Sequence, residues 1–244
     1  DGRGIIPVAG EPLLETYGHD RIFVDYCLPG EDVAEPDDDL PSSRFELSGA
    51  IELGAEMLRA EVATAAAGEV LGVHPFNQPD VERAKKLALR AMEAEGDDDT
   101  VAPVPVGGDT FRIRVERFLA QIRTGDYLSL QAYLAPSADV DAGADRFRQV
   151  VADRHGIATT FGYGPRFLHS TGQLHKGGPN TGVFVQLVDR GGENVGIPET
   201  DYTFNSVIAA QAAGDYTALS EADRRVLRVD VSEGGLAAFL EALD

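Results

Sequence analysis

The sequence predicts an α/β protein, a parallel sheet covered by helices, and three observations carry that prediction. Short runs of β-forming residues alternate with helix-length stretches along most of the chain, the pattern of strands joined by helical crossovers. With 244 residues and 43% hydrophobic content, the chain can bury one sizeable core or two small ones. No apolar run approaches the roughly 20 residues needed to span a bilayer, so the apolar segments belong to a core.

Taken in order, Asp1 leads into GRGIIPV, a polar turn feeding a short strand, and the lack of an initiating methionine suggests the later part of a longer polypeptide. Arg21 to Leu28 (RIFVDYCL) reads as a strand, and after a Pro/Asp loop Arg44 to Leu47 reads as a second. Ile51, Ala55, Leu58, Val62 and Ala65 recur at helical spacing, which predicts a buried helix ending near Gly68, with the alanines around it allowing close packing. In LGVHPFNQPDVERAKK, Leu71 to Lys86, two prolines hold the backbone extended. Asn77 can cap a helix, Pro79 fits its first turn, and Asp80 and Glu82 suit its positive end. Gln78 and Lys85, seven apart, share a face of that helix.

Glu95 to Gly108 is a charge run followed by Pro/Gly alternation and reads as a boundary, dividing the chain into segments 1–100 and 101–244. Beyond it the pattern is regular. Helices are expected near Arg114 to Thr124, Ala142 to His155, Phe204 to Ala213, Ser220 to Arg224 and Gly235 to Ala242. Strands are expected at Tyr127 to Leu134, Ala158 to Phe161, Val183 to Val188 and Val226 to Val231.

A net charge of −20 argues against a nucleic-acid partner, because phosphate backbones need clustered Lys and Arg. The acidic runs at Asp37 to Asp39 and Asp97 to Asp99 read as solvated surface. Cys27 is alone, which excludes an internal disulfide framework, fits a reducing cytoplasm and makes a small core residue of it. No membrane partner is expected, and the sequence leaves a homo-oligomer open.

The stretch from Thr160 to Gln186 sets His169, Ser170, Thr171, Gln173, His175, Lys176 and Asn180 among six glycines between two strands. Polar donors in glycine-rich backbone suit a compact, oxygen-rich anion such as a sugar phosphate. The stretch follows a strand, where ligands of parallel sheets gather. If Phe167 to Leu174 is helical, His169, Gln173 and Lys176 share one face. Sugar isomerisation needs groups for ring opening, which His and Lys can provide, a carboxylate to move a proton between neighbouring carbons, and donors for the enediolate. A metal site is disfavoured, since His169 and His175 lack the i, i+4 spacing of a helical zinc pair and no Cys is near. Ser170 lacks the G-x-S-x-G setting of a hydrolytic nucleophile, and Gly162-Tyr163-Gly164 does not complete a nucleotide-binding G-x-G-x-x-G. No cofactor is expected.

Leu53 to Lys86, LGAEMLRAEVATAAAGEVLGVHPFNQPDVERAKK, is similar to the carboxy-terminal part of glucose-6-phosphate isomerase, whose helix leads into G-[VI]-x-P-F-[DN]-Q-P-x-V-E-x-x-K. YGHDRIFVDYCL, FGYGPRFLHSTGQLHKGGPNTGVFVQL and YTFNSVIAAQAAGDYTAL resemble the variant of this isomerase fused behind a transaldolase. The resemblance implies a sugar-isomerase (SIS) α/β sandwich with a second α/β segment at the carboxy terminus. It also implies interconversion of glucose 6-phosphate and fructose 6-phosphate, and the remainder of the isomerase/transaldolase polypeptide as partner. It places Lys85 near the ring oxygen and Gln78 on the substrate. His169 or His175 would assist ring opening, and Ser170, Thr171, Gln173 and Lys176 would lie in or beside the sugar-phosphate pocket. The family's serine/threonine phosphate loop and its E-S-N-G-K segment with the glutamate base have no counterpart in this sequence, so the chain alone is expected to be inactive. A non-catalytic sugar-phosphate-binding module and a purely structural domain are the alternatives.

Overall fold

The computed structural model describes residues 3–12, 14, 17, 18, 21–31, 40–93, 102–191 and 194–243. The chain divides into two compact units, Tyr17–Asn77 and a larger one made of Asp1–Thr16 with Gln78–Asp244. The acidic runs Asp37 to Asp39 and Asp97 to Asp99 lie outside the described residues.

The smaller unit pairs β1 (Phe23–Cys27) in parallel with β2 (Ser42–Glu46) and adds one long helix, α1 (Ala50–Leu71). Cys27 is a buried core residue, as its position in a β-rich run predicts. At the end of α1, Gly72 takes φ 65°, a left-handed cap that glycine adopts without a Cβ penalty. The expectation of a buried helix is corrected here. Ile51 is 91% exposed, Leu58 and Val62 are exposed too, and only Glu56 and Gly68 of α1 are buried. Two five-residue strands offer too little surface to cover a helix of 22 residues.

The larger unit holds α2 (Pro79–Glu93), β3 (Val104–Pro105), α3 (Gly108–Leu119), β4 (Tyr127–Tyr133), α4 (Ala138–His155) and β5 (Ala158–Tyr163). After a 3-10 turn over Arg166–His169 come α5 (Gly172–Gly177), β6 (Gly182–Val188), α6 (Phe204–Glu221), β7 (Arg225–Asp230) and α7 (Gly235–Glu241). Its five strands form one parallel sheet in the order β3-β7-β6-β4-β5. β4 and β6 are buried along their whole length, as central parallel strands covered on both faces must be.

Because side chains alternate across a strand, the two faces of this sheet differ. Leu128, Leu130, Val183, Val185, Leu187 and Val229 point to one side, where Phe111 and Val115 of α3, Phe147 and Val151 of α4 and Phe239 of α7 complete the main apolar core. The other side carries Tyr127, Ser129, Gln131 and Tyr133 of β4 with Phe184, Gln186 and Val188 of β6, and meets α5 and α6. That second face is the polar one, and it holds the candidate site.

Several element boundaries move, among them the start of α4, which lies at Ala138 and not Ala142 because Ser137 accepts from the Val140 N–H. α3 begins earlier than expected, at Gly108, because Gly107 and Gly108 turn the chain at positive φ and Phe111, Val115, Phe118 and Leu119 supply a buried stripe at helical spacing. α6 runs to Glu221 and absorbs the short helix expected at Ser220 to Arg224, starting from a Thr203/Ser206 capping box. The described part of GRGIIPV, Arg3 to Val8, forms no strand, and the chain just beyond it is tied by side chains instead. Arg148 donates to the Ala9 and Gly10 carbonyls, and Glu11 accepts from the backbone N–H of Thr159 at 2.7 Å.

α2 lies in the larger unit, although it falls on the amino-terminal side of the boundary expected near residue 100. It packs against α6 through Val81, Ala84 and Ala88, with Gly214 permitting the approach. A Cβ at Gly214 would lie 2.6 Å from the Ala88 nitrogen and 2.9 Å from the Ala84 carbonyl oxygen. Alanine normally stabilises a helix interior over glycine by ~1 kcal/mol. Here Gly214→Ala is expected to lower stability, because overpacking costs about 1–3 kcal/mol. A urea midpoint at or above that of the unmodified protein would show that the two helices part without strain.

Candidate functional site

The two segments singled out in the sequence meet at the amino-terminal end of α2. Pro79 opens the helix as expected, but Gln78 rather than Asn77 directly precedes it, and the Gln78 carbonyl accepts from the Glu82 N–H at 3.2 Å. The first N–H groups of a helix have no intrahelical acceptor. That of Asp80 donates to Gln173 Oε1 at 2.9 Å, and Gln173 Nε2 donates back to Asp80 Oδ2 at 2.6 Å. Gly177 sits on this pair, since a Cβ there would come closer than 3.0 Å to both side chains.

α5 follows the 3-10 turn after a break, so His169 and Lys176 do not share a helix face. The condition under which His169, Gln173 and Lys176 would share one face, a helix over Phe167 to Leu174, is not met. Ser170 Oγ and Thr171 Oγ1 both donate to the Phe167 carbonyl, at 3.0 and 3.3 Å, beside the backbone N–H groups of the same two residues. His169 and Ser170 are exposed; His175 and Lys176 are buried.

The glycines of the stretch serve packing more than an open anion cradle. A Cβ at Gly162 would strike Phe167, one at Gly164 would strike Tyr133, and one at Gly182 would strike Phe184. The sequence shows the richness in glycine but not the aromatic rings that require it.

His175 projects from α5 into a box of aromatic rings, with centroids 5.1 Å from Phe184 and 6.0 Å from both Tyr127 and Phe167. Its Nδ1 lies 3.3 Å from Gln131 Nε2, a contact that suits Nδ1 as acceptor and the proton on Nε2. Burial first, then the positive charges of Lys176 and Arg224, depress its pKa from 6.5 to about 3. His175 is therefore a neutral imidazole at physiological pH.

Lys176, next along α5, forms an ion pair with Asp215 of α6, and the two side chains are 1% and 0% exposed. Burial raises the pKa of Asp215, while Lys176 and the Tyr133 hydroxyl hold it down. Lys176 Nζ also reaches the Gly172 carbonyl at 3.4 Å, and Arg224 caps the end of α5 by donating to the carbonyls of Lys176 at 2.6 Å and Gly178 at 2.8 Å. Beneath them Gln131 and Gln186 are register partners on β4 and β6, and Gln186 Nε2 donates to the Ala212 carbonyl at 3.1 Å. The amide oxygens of both glutamines are buried with no hydrogen-bond partner among the described residues.

Lys85 stands apart from this buried network. It is exposed on α2 and paired at 2.8 Å with Glu82, one turn earlier. Gln78, directly before the helix, is exposed too. The structure thus brings together Gln173 with Asp80, and His175 with Lys176, Gln131 and Asp215. It leaves Lys85, Gln78, His169 and Ser170 at the surface.

Gln131, Asp215 and Gln186 escaped the sequence reading, and Asp80 entered it only as a charge at the positive end of a helix. The signal for the glutamines was one amide in each of two largely apolar strands, YLSLQAY and GVFVQLV; Asp215, set in the alanine-rich α6, offered a similar one. Among the described residues no three His, Cys, Asp or Glu side chains converge as a metal site would require, and no helix is long and apolar enough to cross a membrane.

No family model matches this chain, and no curated protein matches it. Among solved structures it is similar to one described as hypothetical protein TT0462 from Thermus thermophilus, at 18% identity and a TM-score of 0.46. The similarity covers 66% of this chain and 42% of that one, so the chain spans less than half of that protein's length.

Proposed function

We propose that this chain is part of an aldose–ketose isomerase acting on glucose 6-phosphate and fructose 6-phosphate, from a polypeptide that also carries a transaldolase. The reading rests on the resemblance of Leu53 to Lys86 to the isomerase motif, and one structural observation supports it. Gln78, directly before α2, and Lys85 on it, the two residues that motif assigns to substrate, are both exposed.

In this proposal Lys85 supplies positive charge near the ring oxygen and Gln78 a hydrogen bond to substrate. Of the two histidines, His169 is the one suited to ring opening. It is exposed, whereas His175 is enclosed and its depressed pKa leaves it almost wholly unprotonated near neutral pH. The glutamate that would move the proton between C1 and C2 has no matching segment in this sequence, so the chain alone is expected not to convert fructose 6-phosphate.

The test is made in the complete reading frame. Lys85→Ala should lower isomerisation by on the order of 10²–10⁴-fold, the range for losing a positioned acid/base group, with transaldolase retained. Unchanged isomerisation would remove Lys85 from the mechanism, and its absence from the unmodified polypeptide would remove the function. Titrating the 244-residue chain with 6-phosphogluconate addresses the alternatives, since a purely structural domain would give no binding.

A further inference from the structure

We propose that Asp80 and Gln173 are positioning residues that fix the first turn of α2 on α5 and so set where Lys85 is presented. The catalytic part of this statement rests on the function proposed above; the mechanical part does not.

Three observations converge. First, the Asp80–Gln173 contact is reciprocal, backbone N–H to amide oxygen and amide N–H to carboxylate, so it fixes both the position and the rotation of the helix start. A single surface hydrogen bond would leave the helix free to turn about its axis. Second, the contact is built tightly. Gly177 leaves no room for a Cβ over the pair, which would come within 2.5 Å of both Gln173 Nε2 and Asp80 Oδ2. Third, α5 is itself anchored. Lys176 is ion-paired to Asp215 of α6, Arg224 holds its last carbonyls, and α6 meets the backbone of α2 at Gly214.

α2, α5 and α6 therefore close a ring of contacts, with each helix fixed by the other two. Lys85 lies five residues beyond Asp80 on the helix that this ring orients, and its own side chain is paired with Glu82 of the same helix. A neutral amide is the right partner at residue 173. A second carboxylate would repel Asp80, and an ammonium would present no acceptor to the Asp80 N–H.

The test uses the 244-residue chain and two variants. Gln173→Met keeps the side-chain length and removes both hydrogen bonds; Asp80→Asn keeps an acceptor for Gln173 and the backbone N–H. Amide exchange at Asp80 is the direct readout, because that N–H has no intrahelical acceptor. Gln173→Met should speed its exchange about tenfold, the equivalent of losing one ordinary intramolecular hydrogen bond, while Asp80→Asn should stay close to the unmodified protein.

The second readout is acylation of the lysines. The chain has only Lys85, Lys86 and Lys176, and Lys176 is buried. Gln173→Met should alter the labelling of Lys85 relative to Lys86 while Lys176 stays unlabelled, which also reports an intact fold. Unchanged exchange at Asp80, or an unchanged ratio with the bonds lost, would overturn the proposal. So would a loss in Asp80→Asn as large as that in Gln173→Met. Neither readout depends on isomerisation, so failure of the functional reading is seen separately, in the activity of the complete polypeptide.

Discussion

Replacing Asp215 by alanine should cost the fold about 3–5 kcal/mol, the range for removing one partner of a buried ion pair. Most of that loss comes from what remains. Lys176 would lose its counter-ion in a place where its side chain is 1% exposed, leaving, among the described residues, the Gly172 carbonyl at 3.4 Å to receive its protons. The pair itself contributes less than its removal suggests, because bringing two charges out of water offsets much of their attraction. The double replacement Lys176→Met with Asp215→Leu should therefore recover most of the stability, and urea unfolding of the single and double variants gives the comparison. A double variant as unstable as Asp215→Ala would mean that packing at this site, and not the stranded charge, sets the cost.

The second large effect is on acid stability and comes from His175. Above about pH 6.5 the imidazole is neutral in both states, so it contributes no pH dependence. Between its ordinary value of 6.5 and its folded value of about 3, only the unfolded chain takes up the proton, so acid favours unfolding. Below that window both states are protonated and the slope ends. The expected slope is ~1.4 kcal/mol per pH unit, reaching about 4–5 kcal/mol across the window. Asp215 works in the opposite sense, since its raised pKa lets the folded state hold a proton more readily than the unfolded chain. The effect of His175 is therefore read as a difference. His175→Gln should lose stability relative to the unmodified protein near neutral pH and regain it steadily as the pH falls to about 4. A pH-independent difference between the two proteins would show that His175 is reached by solvent and titrates normally.

How much of this was legible in the sequence can be argued from particular elements. β4 and β6 were readable because central parallel strands are near-continuous apolar runs; α4 was readable in its body, but its start at Ala138, capped by Ser137, lies four residues before the expected Ala142. The break between the 3-10 turn and α5 was not readable, because apolar spacing does not separate one continuous helix from a 3-10 turn followed by a short helix. The exposure of α1 was misread for a related reason. Periodicity reports that a helix has an apolar stripe, not that something covers it.

At the candidate site the sequence supplied the residue types and their neighbours along the chain. It identified a polar, glycine-rich segment after a strand, a capped helix carrying Gln78 and Lys85, and an α/β order of elements, all of them consequences of local spacing and turn chemistry. Which polar groups face water and which face one another was decided only by the tertiary structure. Lys176 is buried because Asp215 comes from α6 to meet it, His175 is neutral because Tyr127, Phe167 and Phe184 enclose it, and Gln173 braces α2 because Asp80 lies across from it. Desolvation and pairing depend on partners distant in sequence, and no local pattern encodes them.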